Sequence, residues 1–213
     1  MINLTAQVND LIERIDELRA TRARVVVAIC GAPASGKSTL TAELVRRLHL
    51  NKVKAFPLPM DGFHLDNAVI SEMGLLARKG APETFDAPGY IELVRRVREG
   101  KLVYAPKFDR DRDISIAGAI AVPQDAEVII AEGNYLMFDE DPWRELAGLW
   151  DLTVRWDVPL PELRARLIQR WLDHNLSRTA AVRRAEGNDI PNAQRILEAA
   201  LPCDITLDGT PRT

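Results

Sequence analysis

The sequence predicts an α/β fold, a three-layer sandwich with a mostly parallel sheet between helices. Three observations predict it. Val25–Cys30 is a continuous apolar run, the pattern of a strand buried on both faces. A glycine-rich stretch and then a helically spaced segment follow it directly. Further apolar runs at Val128–Ala131 and Leu152–Val158 recur between helical patterns, and that alternation builds parallel sheets.

The elements follow in order. Leu4, Val8, Leu11, Ile12, Ile15 and Leu18 mark one face of an N-terminal helix, over about 3–20. Val25–Cys30 is the first core strand, and Leu40, Leu44, Val45 and Leu48 mark the helix after it. Residues 53–60 read as a second strand, with Pro57 and Pro59 favouring its end or a sheet edge over a central position. His64 to Met73 is expected to be helical, and Arg78 to Pro88 a polar loop. Ile91, Val94 and Val97 place a helix over Tyr90 to Arg98. Lys107 to Asp113 is dense in both charges, which suits a pocket or a solvated turn. Ile114 to Val122 reads as a strand or hairpin arm, and Val128–Ala131 as a core strand ending in Glu132. Leu152–Val158 is a strand, Pro161–Leu172 a helix, and His174–Asn188 a polar, arginine-rich segment. Asn192–Ala200 and Asp204–Leu207 are expected to be the last helix and strand.

With 213 residues, the chain is expected to form one domain, 1–213. A net charge of −3 argues against a large nucleic-acid footprint, so no nucleic-acid partner is expected. No apolar stretch approaches the roughly 20 residues a bilayer requires, and no export signal is evident. No membrane partner and a cytoplasmic location are therefore expected. The two cysteines, Cys30 and Cys203, are too few for a disulfide scaffold and read as buried small side chains. His49, His64 and His174 form no metal-ligand spacing with them. Trp143, Trp150, Trp156 and Trp171 read mainly as packing residues.

Chemistry concentrates in a few places. Gly31-Ala32-Pro33-Ala34-Ser35-Gly36-Lys37-Ser38 has the G-x-x-x-x-G-K-[ST] spacing of a phosphate-binding loop, and lies between a strand and a helix. These residues, with Thr39 beside them, are the expected nucleotide site. Lys37 is expected to reach the β- and γ-phosphates, and the Ser38 hydroxyl to hold Mg²⁺. Asp61 stands at the carboxyl end of the second strand, where open α/β sheets bind ligands. A carboxylate there suits a general base or an orienting group for an acceptor hydroxyl. His64 is expected to donate to substrate or to position Asp61. Glu132, an acid closing a hydrophobic strand, is the expected second metal-facing residue. Arg166, Arg170 and Arg178 are expected to clamp charge on a moving phosphoryl group, with Arg183 and Arg184 as further candidates. The segment 174–190 is then expected to act as a lid. Arg78, Lys79, Lys107, Arg110 and Arg112 flank the middle loops, which suggests an anionic acceptor, although nearby acids compensate.

Together these pieces resemble the P-loop kinase superfamily that includes uridine kinase, phosphoribulokinase and bacterial pantothenate kinase. The resemblance rests on the phosphate loop, Asp61-Gly62-Phe63-His64, residues 78–86 (RKGAPETFD), Tyr104-Ala105-Pro106-Lys107-Phe108, Glu132-Gly133-Asn134-Tyr135 and Asn188-Asp189-Ile190-Pro191-Asn192-Ala193. Within that superfamily the chain most resembles candidate fructose transport system kinases, a label that implies a sugar acceptor. The resemblance implies a P-loop NTPase sandwich whose five parallel strands run 2-3-1-4-5, with an arginine-rich lid. It implies ATP and Mg²⁺ at Lys37 and Ser38, and an acceptor in the region 61–113. Asp61 would act on the acceptor hydroxyl, with Arg170 and Arg178 approaching the triphosphate. His64, Arg78, Lys79, Tyr104, Lys107 and Tyr135 complete the expected acceptor contacts. The kin also allow a homodimer, which no local pattern encodes.

The leading reading is an ATP-dependent phosphotransferase moving the γ-phosphate to an alcohol of a small metabolite, with a sugar the first expectation. Pantothenate and nucleosides remain alternatives. Uridine kinases carry Asp-Ser-Phe-Tyr where this chain has Asp61-Gly62-Phe63-His64. A nucleotide-dependent regulatory ATPase acting on a protein partner is the rival of another class.

Overall fold

The computed structural model describes residues 4–210. The ends of the expected 1–213 domain, and the first residue of the expected 3–20 helix, lie outside the described residues. Five strands form a parallel sheet: β1 (Val25–Cys30), β2 (Ala55–Pro59), β5 (Val128–Gly133), β6 (Leu152–Asp157) and β7 (Ile205–Asp208). The intervening β3 (Val103–Asp109) and β4 (Ile114–Val122) form a separate antiparallel hairpin. The main sheet runs β2-β5-β1-β6-β7. Counted among core strands alone, that is the expected order 2-3-1-4-5.

β1 lies at the centre because all six of its residues are buried, so neither face can meet water. Val26, Ala28 and Cys30 join one apolar layer with Ile129, Ala131 and α4 (Ala87–Arg98). Val25, Val27 and Ile29 join the opposite layer with α1 (Thr5–Arg19), α2 (Lys37–Leu50) and α5 (Leu160–Asp173). This is the three-layer sandwich that the alternation of strands and helices predicts. β2 pairs only with β5, the edge position that Pro57 and Pro59 require. Trp143 and Trp156 are fully buried, as packing residues are.

Three expected elements differ. His64–Met73 is not one helix. Met60–Phe63 is a short 3-10 turn, His64 bridges Phe85, and α3 spans only Asn67–Glu72. The reason is local: the Asp66 carboxylate accepts the N–H of Ala68, an N-cap that starts the helix late. The helix expected from Tyr90 begins three residues earlier, since Asp86 caps it and Pro88 sits in its first turn, where a missing N–H costs nothing. Residues 174–190 carry α6 (Arg178–Arg184) and a π-helical turn, Ala185–Asp189, that runs into α7 (Ile190–Glu198).

Candidate active site

The carboxyl ends of β1, β2 and β5 meet at one edge of the sheet, and each delivers a part of the site. β1 ends in the glycine-rich loop. Gly36 has φ of +100°, which an L side chain rarely adopts, and from it α2 starts at Lys37. The loop is fastened from below. The Ser35 carbonyl accepts from the Trp156 indole at 2.9 Å and from Arg166 at 2.8 Å. Its upper side is left unsatisfied: the backbone N–H groups of Ala34, Gly36, Lys37 and Ser38 find no acceptor among the described residues. Buried Ser35 Oγ also has no partner there. Such a row of inward donors at a helix start fits phosphate oxygens.

The Lys37 ammonium donates to Asn134 Oδ1 at 2.6 Å. Burial lowers its pKa, while Glu132 and Asp61 pull it back up. Ser38 Oγ donates to the Glu132 carboxylate at 2.8 Å, across the β1–β5 boundary. This hydroxyl and carboxylate are hard oxygen donors that fit Mg²⁺, an ion that fills its other positions with phosphate oxygens and water. Among the described residues, no cluster of three or more His, Cys, Asp or Glu forms a metal site by itself.

Asp61 lies in the turn after β2, and its carboxylate is paired with the Arg110 guanidinium. Arg110 belongs to the tip of the β3–β4 hairpin. Gly62 is what lets the two segments meet: a Cβ there would lie 2.3 Å from the Pro106 carbonyl oxygen of β3. Burial pushes the Asp61 carboxyl up, but Arg110, His64 and Lys37 together outweigh it and hold it below its usual value. The His64 ring lies between Phe85 and Phe108, at centroid distances of 4.0 and 4.4 Å. Its Nδ1 is 2.7 Å from the Asp61 carbonyl, which can only accept, so Nδ1 carries the proton. Burial lowers the His64 pKa and favours the neutral ring.

The arginine-rich region covers this edge. Arg170 pairs with Asp189 at 3.3 Å, and it shares the electrostatic field of Asp61 and Arg110. The π-helical turn aims two polar side chains inward: Asp189 accepts from the Trp171 indole, and Asn188 donates to the Lys79 carbonyl at 2.8 Å. Arg184 donates to the Ala77 carbonyl at 3.3 Å and stacks on Trp171. Arg166 instead braces the loop and the Gly209 carbonyl.

The expected residues therefore divide. Lys37, Ser38, Asp61, His64, Glu132 and Arg170 converge. Arg178 opens α6 as an exposed residue with no ion pair or side-chain hydrogen bond among the described residues. Arg78 and Lys107 flank the hairpin and its facing loop, exposed and without side-chain partners among the described residues. Lys79 is already committed, bound to Asn67 and Asp113 and lying over Phe108. Tyr135 is fully buried and its hydroxyl donates to the Gly80 carbonyl at 2.6 Å, so it supports the loop from inside instead of facing a ligand. Tyr104 is 63% exposed near the far end of the hairpin, opposite Ala121, and stands apart. Two residues not among the expected contacts join the cluster. Arg110 was legible only as one of five cations flanking the middle loops, and Asn134 only within the Glu132-Gly133-Asn134-Tyr135 segment.

The family model for the phosphoribulokinase/uridine kinase family matches residues 26–172. The chain belongs to this family. The kinase is 36% identical to the uncharacterized protein YggC of Escherichia coli (strain K12) over 192 residues, covering 87% of this chain and 80% of that protein. It is 32% identical to the candidate uridine kinase C227.14 of Schizosaccharomyces pombe (strain 972 / ATCC 24843), covering 93% and 89%. The crystal structure of a candidate fructose transport system kinase from Silicibacter sp. TM1040 superposes with a TM-score of 0.89 at 48% identity, covering 97% of this chain and all of that one. The family and these likenesses make the chain an ATP-dependent kinase of a small metabolite.

Proposed function

We propose that the kinase transfers the γ-phosphate of ATP to an alcohol of a small polyhydroxy acceptor, a sugar being the leading class. The observation that carries this reading is the Asp61–Arg110 pair, placed within electrostatic reach of Lys37. A base that must receive an acceptor proton sits across from the donors that would hold phosphate. The similarity to a candidate fructose transport system kinase favours a sugar over the nucleoside and pantothenate alternatives.

The roles follow from the charges. The free N–H groups of the loop and Lys37 hold the β- and γ-phosphates. Bound between Ser38 and Glu132, Mg²⁺ would supply charge neutralisation on the phosphate oxygens. Asp61 orients the acceptor hydroxyl and takes its proton, and His64 fixes the Asp61 backbone. Arg110 must first leave Asp61 or share it with the acceptor, which makes the ion pair a resting state of the base. Lys37, Arg110 and Arg170 are three cations raising one another's cost, and a triphosphate relieves them. Residues 174–190 act as the lid, with the Asn188–Asp189 turn as its inner surface and Arg170 of α5 paired to it through Asp189. Exposed Arg78 and Lys107 are available for anionic groups on the acceptor.

The test is direct detection of phosphorylated product by mass spectrometry, with ATP, Mg²⁺ and a panel of sugars, nucleosides and pantothenate. A sugar phosphate as the main product supports the proposal. A phosphorylated nucleoside or phosphopantothenate as the main product replaces the acceptor class, and ATP binding without product from any acceptor favours the regulatory alternative.

A further inference from the structure

Two thiols lie at the root of the site, and the proposed transfer uses neither. Cys30 closes β1 just before the phosphate loop, and Cys203 precedes β7. Both are free, and their sulfur atoms are 3.6 Å apart although 173 positions separate them in sequence. Their surroundings differ sharply. Cys30 is 5% exposed and is held by ladder partners on both sides, Gly133 and Arg155. Cys203 is half-buried, in the irregular segment between α7 and β7. The Arg155 guanidinium is 3.7 Å from its sulfur and also donates to the Leu201 carbonyl, which fixes the cation beside the thiol. The hydrogen bond from Cys30 and the charge of Arg155 outweigh burial and Asp204, holding the Cys203 thiol below the ordinary range. Cys30 moves the other way, pushed up by its neighbour Cys203 and by burial. One sulfur is thus disposed to attack and the other to resolve. A narrow cleft lined by Cys30, Gly31, Ala32 and Arg155 lies at this point.

We propose that Cys203 and Cys30 form an oxidation site, in which Cys203 reacts with a peroxide and Cys30 closes an intramolecular disulfide. The Cys203 thiolate attacks one oxygen of hydrogen peroxide, forming an S–O bond and breaking the O–O bond. Sulfur is oxidised to the sulfenic acid, and the departing hydroxide leaves as water after taking a proton. The Cys30 sulfur then bonds to the Cys203 sulfur and displaces the sulfenic hydroxyl, which leaves with the Cys30 proton as a second water. Two thiols and one peroxide give one disulfide and two waters. A disulfide is about 2.05 Å long, so the sulfurs must close by about 1.5 Å. With β1 held from both sides, side-chain rotation and the 201–204 segment supply that movement.

The experiment treats the reduced full-length chain with hydrogen peroxide, alkylates remaining thiols, and maps peptides without reduction. The expected result is loss of both thiols, a monomer lighter by two hydrogens, and a linked peptide pair containing residues 30 and 203. Dithiothreitol should restore both thiols. In Cys30→Ser, dimedone should trap a sulfenic acid at Cys203. In Cys203→Ser, Cys30 should stay reduced under the same exposure. Survival of both thiols, oxidation of Cys203 to sulfinic acid with Cys30 untouched, or a disulfide found only between two chains overturns the proposal. The wild-type peptide map decides the matter even if a variant fails to fold.

Discussion

Asp61 and Lys37 hold their charges for opposite reasons, and the difference sets what each contributes. Asp61 is kept ionised by Arg110, His64 and Lys37 against the cost of burial. Its folded pKa lies below the unfolded value of about 3.9, so its contribution to stability is present above that value and is lost as pH falls through the folded pKa. An acid limb of the rate profile governed by this carboxylate should therefore fall below pH ~4, and a limb centred above about pH 5 contradicts the assignment. Lys37 is the reverse case, a cation whose pKa burial lowers. Between its folded and unfolded values the unfolded chain binds more protons, so this contribution to stability grows as pH rises through that window. Lys37→Met removes a half-buried charge that, in the proposed role, serves phosphate binding. It should raise the thermal midpoint of the nucleotide-free protein while lowering kcat by about 10²- to 10³-fold, the loss expected for one preorganised charge-stabilising donor. Calorimetry and product assay on one preparation check both halves.

At the scale of elements, the hairpin and the π-helical turn complete a site that the sheet only begins. Gly62 sets the approach of the Asp61 turn to β3. In Gly62→Ala the new methyl meets the Pro106 carbonyl at 2.3 Å. The variant should lose about 1–3 kcal/mol in denaturant unfolding, as over-packed positions do, and its kcat should fall with the displaced Asp61. Trp171→Phe deletes the indole donor to Asp189 and leaves Arg170 as its partner. The loss of one such hydrogen bond, about 1 kcal/mol, should weaken ATP binding roughly fivefold without touching the loop. Titration calorimetry reads that change.

These elements also mark how far the sequence could be read. The phosphate loop, Asp61 and Glu132 were legible because each is a local pattern, a chemical residue closing a strand. β3 was not, because Pro106 and Lys107 interrupt its apolar alternation just where the ladder shifts register between Ala105 and Lys107. The Asp61–Arg110 pair joins residues 49 apart through a hairpin of which only the second arm, Ile114–Val122, was legible. Tyr104 and Tyr135 show the same limit from the other side. Both share a segment with residues of the site, yet one faces outward and the other inward, and only the packing reveals it.

For the whole molecule, the fold places the glycine-rich loop directly after the central strand β1 and Asp61 directly after the edge strand β2, with β5 between them carrying Glu132. Nucleotide binding should tie α2, β5 and the arginine-rich region together. MgATP at 100 times its Kd should then stabilise the protein by about 2.7 kcal/mol through mass action alone, seen as a higher thermal midpoint. Lys37→Met should shift little under the same conditions. The most direct test of the account separates the two halves of the site in one variant. Asp61→Asn should be assayed for MgATP affinity and for single-turnover transfer to the acceptor that yields product with the wild type. The account predicts nucleotide affinity close to wild type with transfer slowed by about 10²- to 10⁴-fold, the loss expected for a general base. Transfer at the wild-type rate, or loss of nucleotide binding in step with transfer, would contradict it.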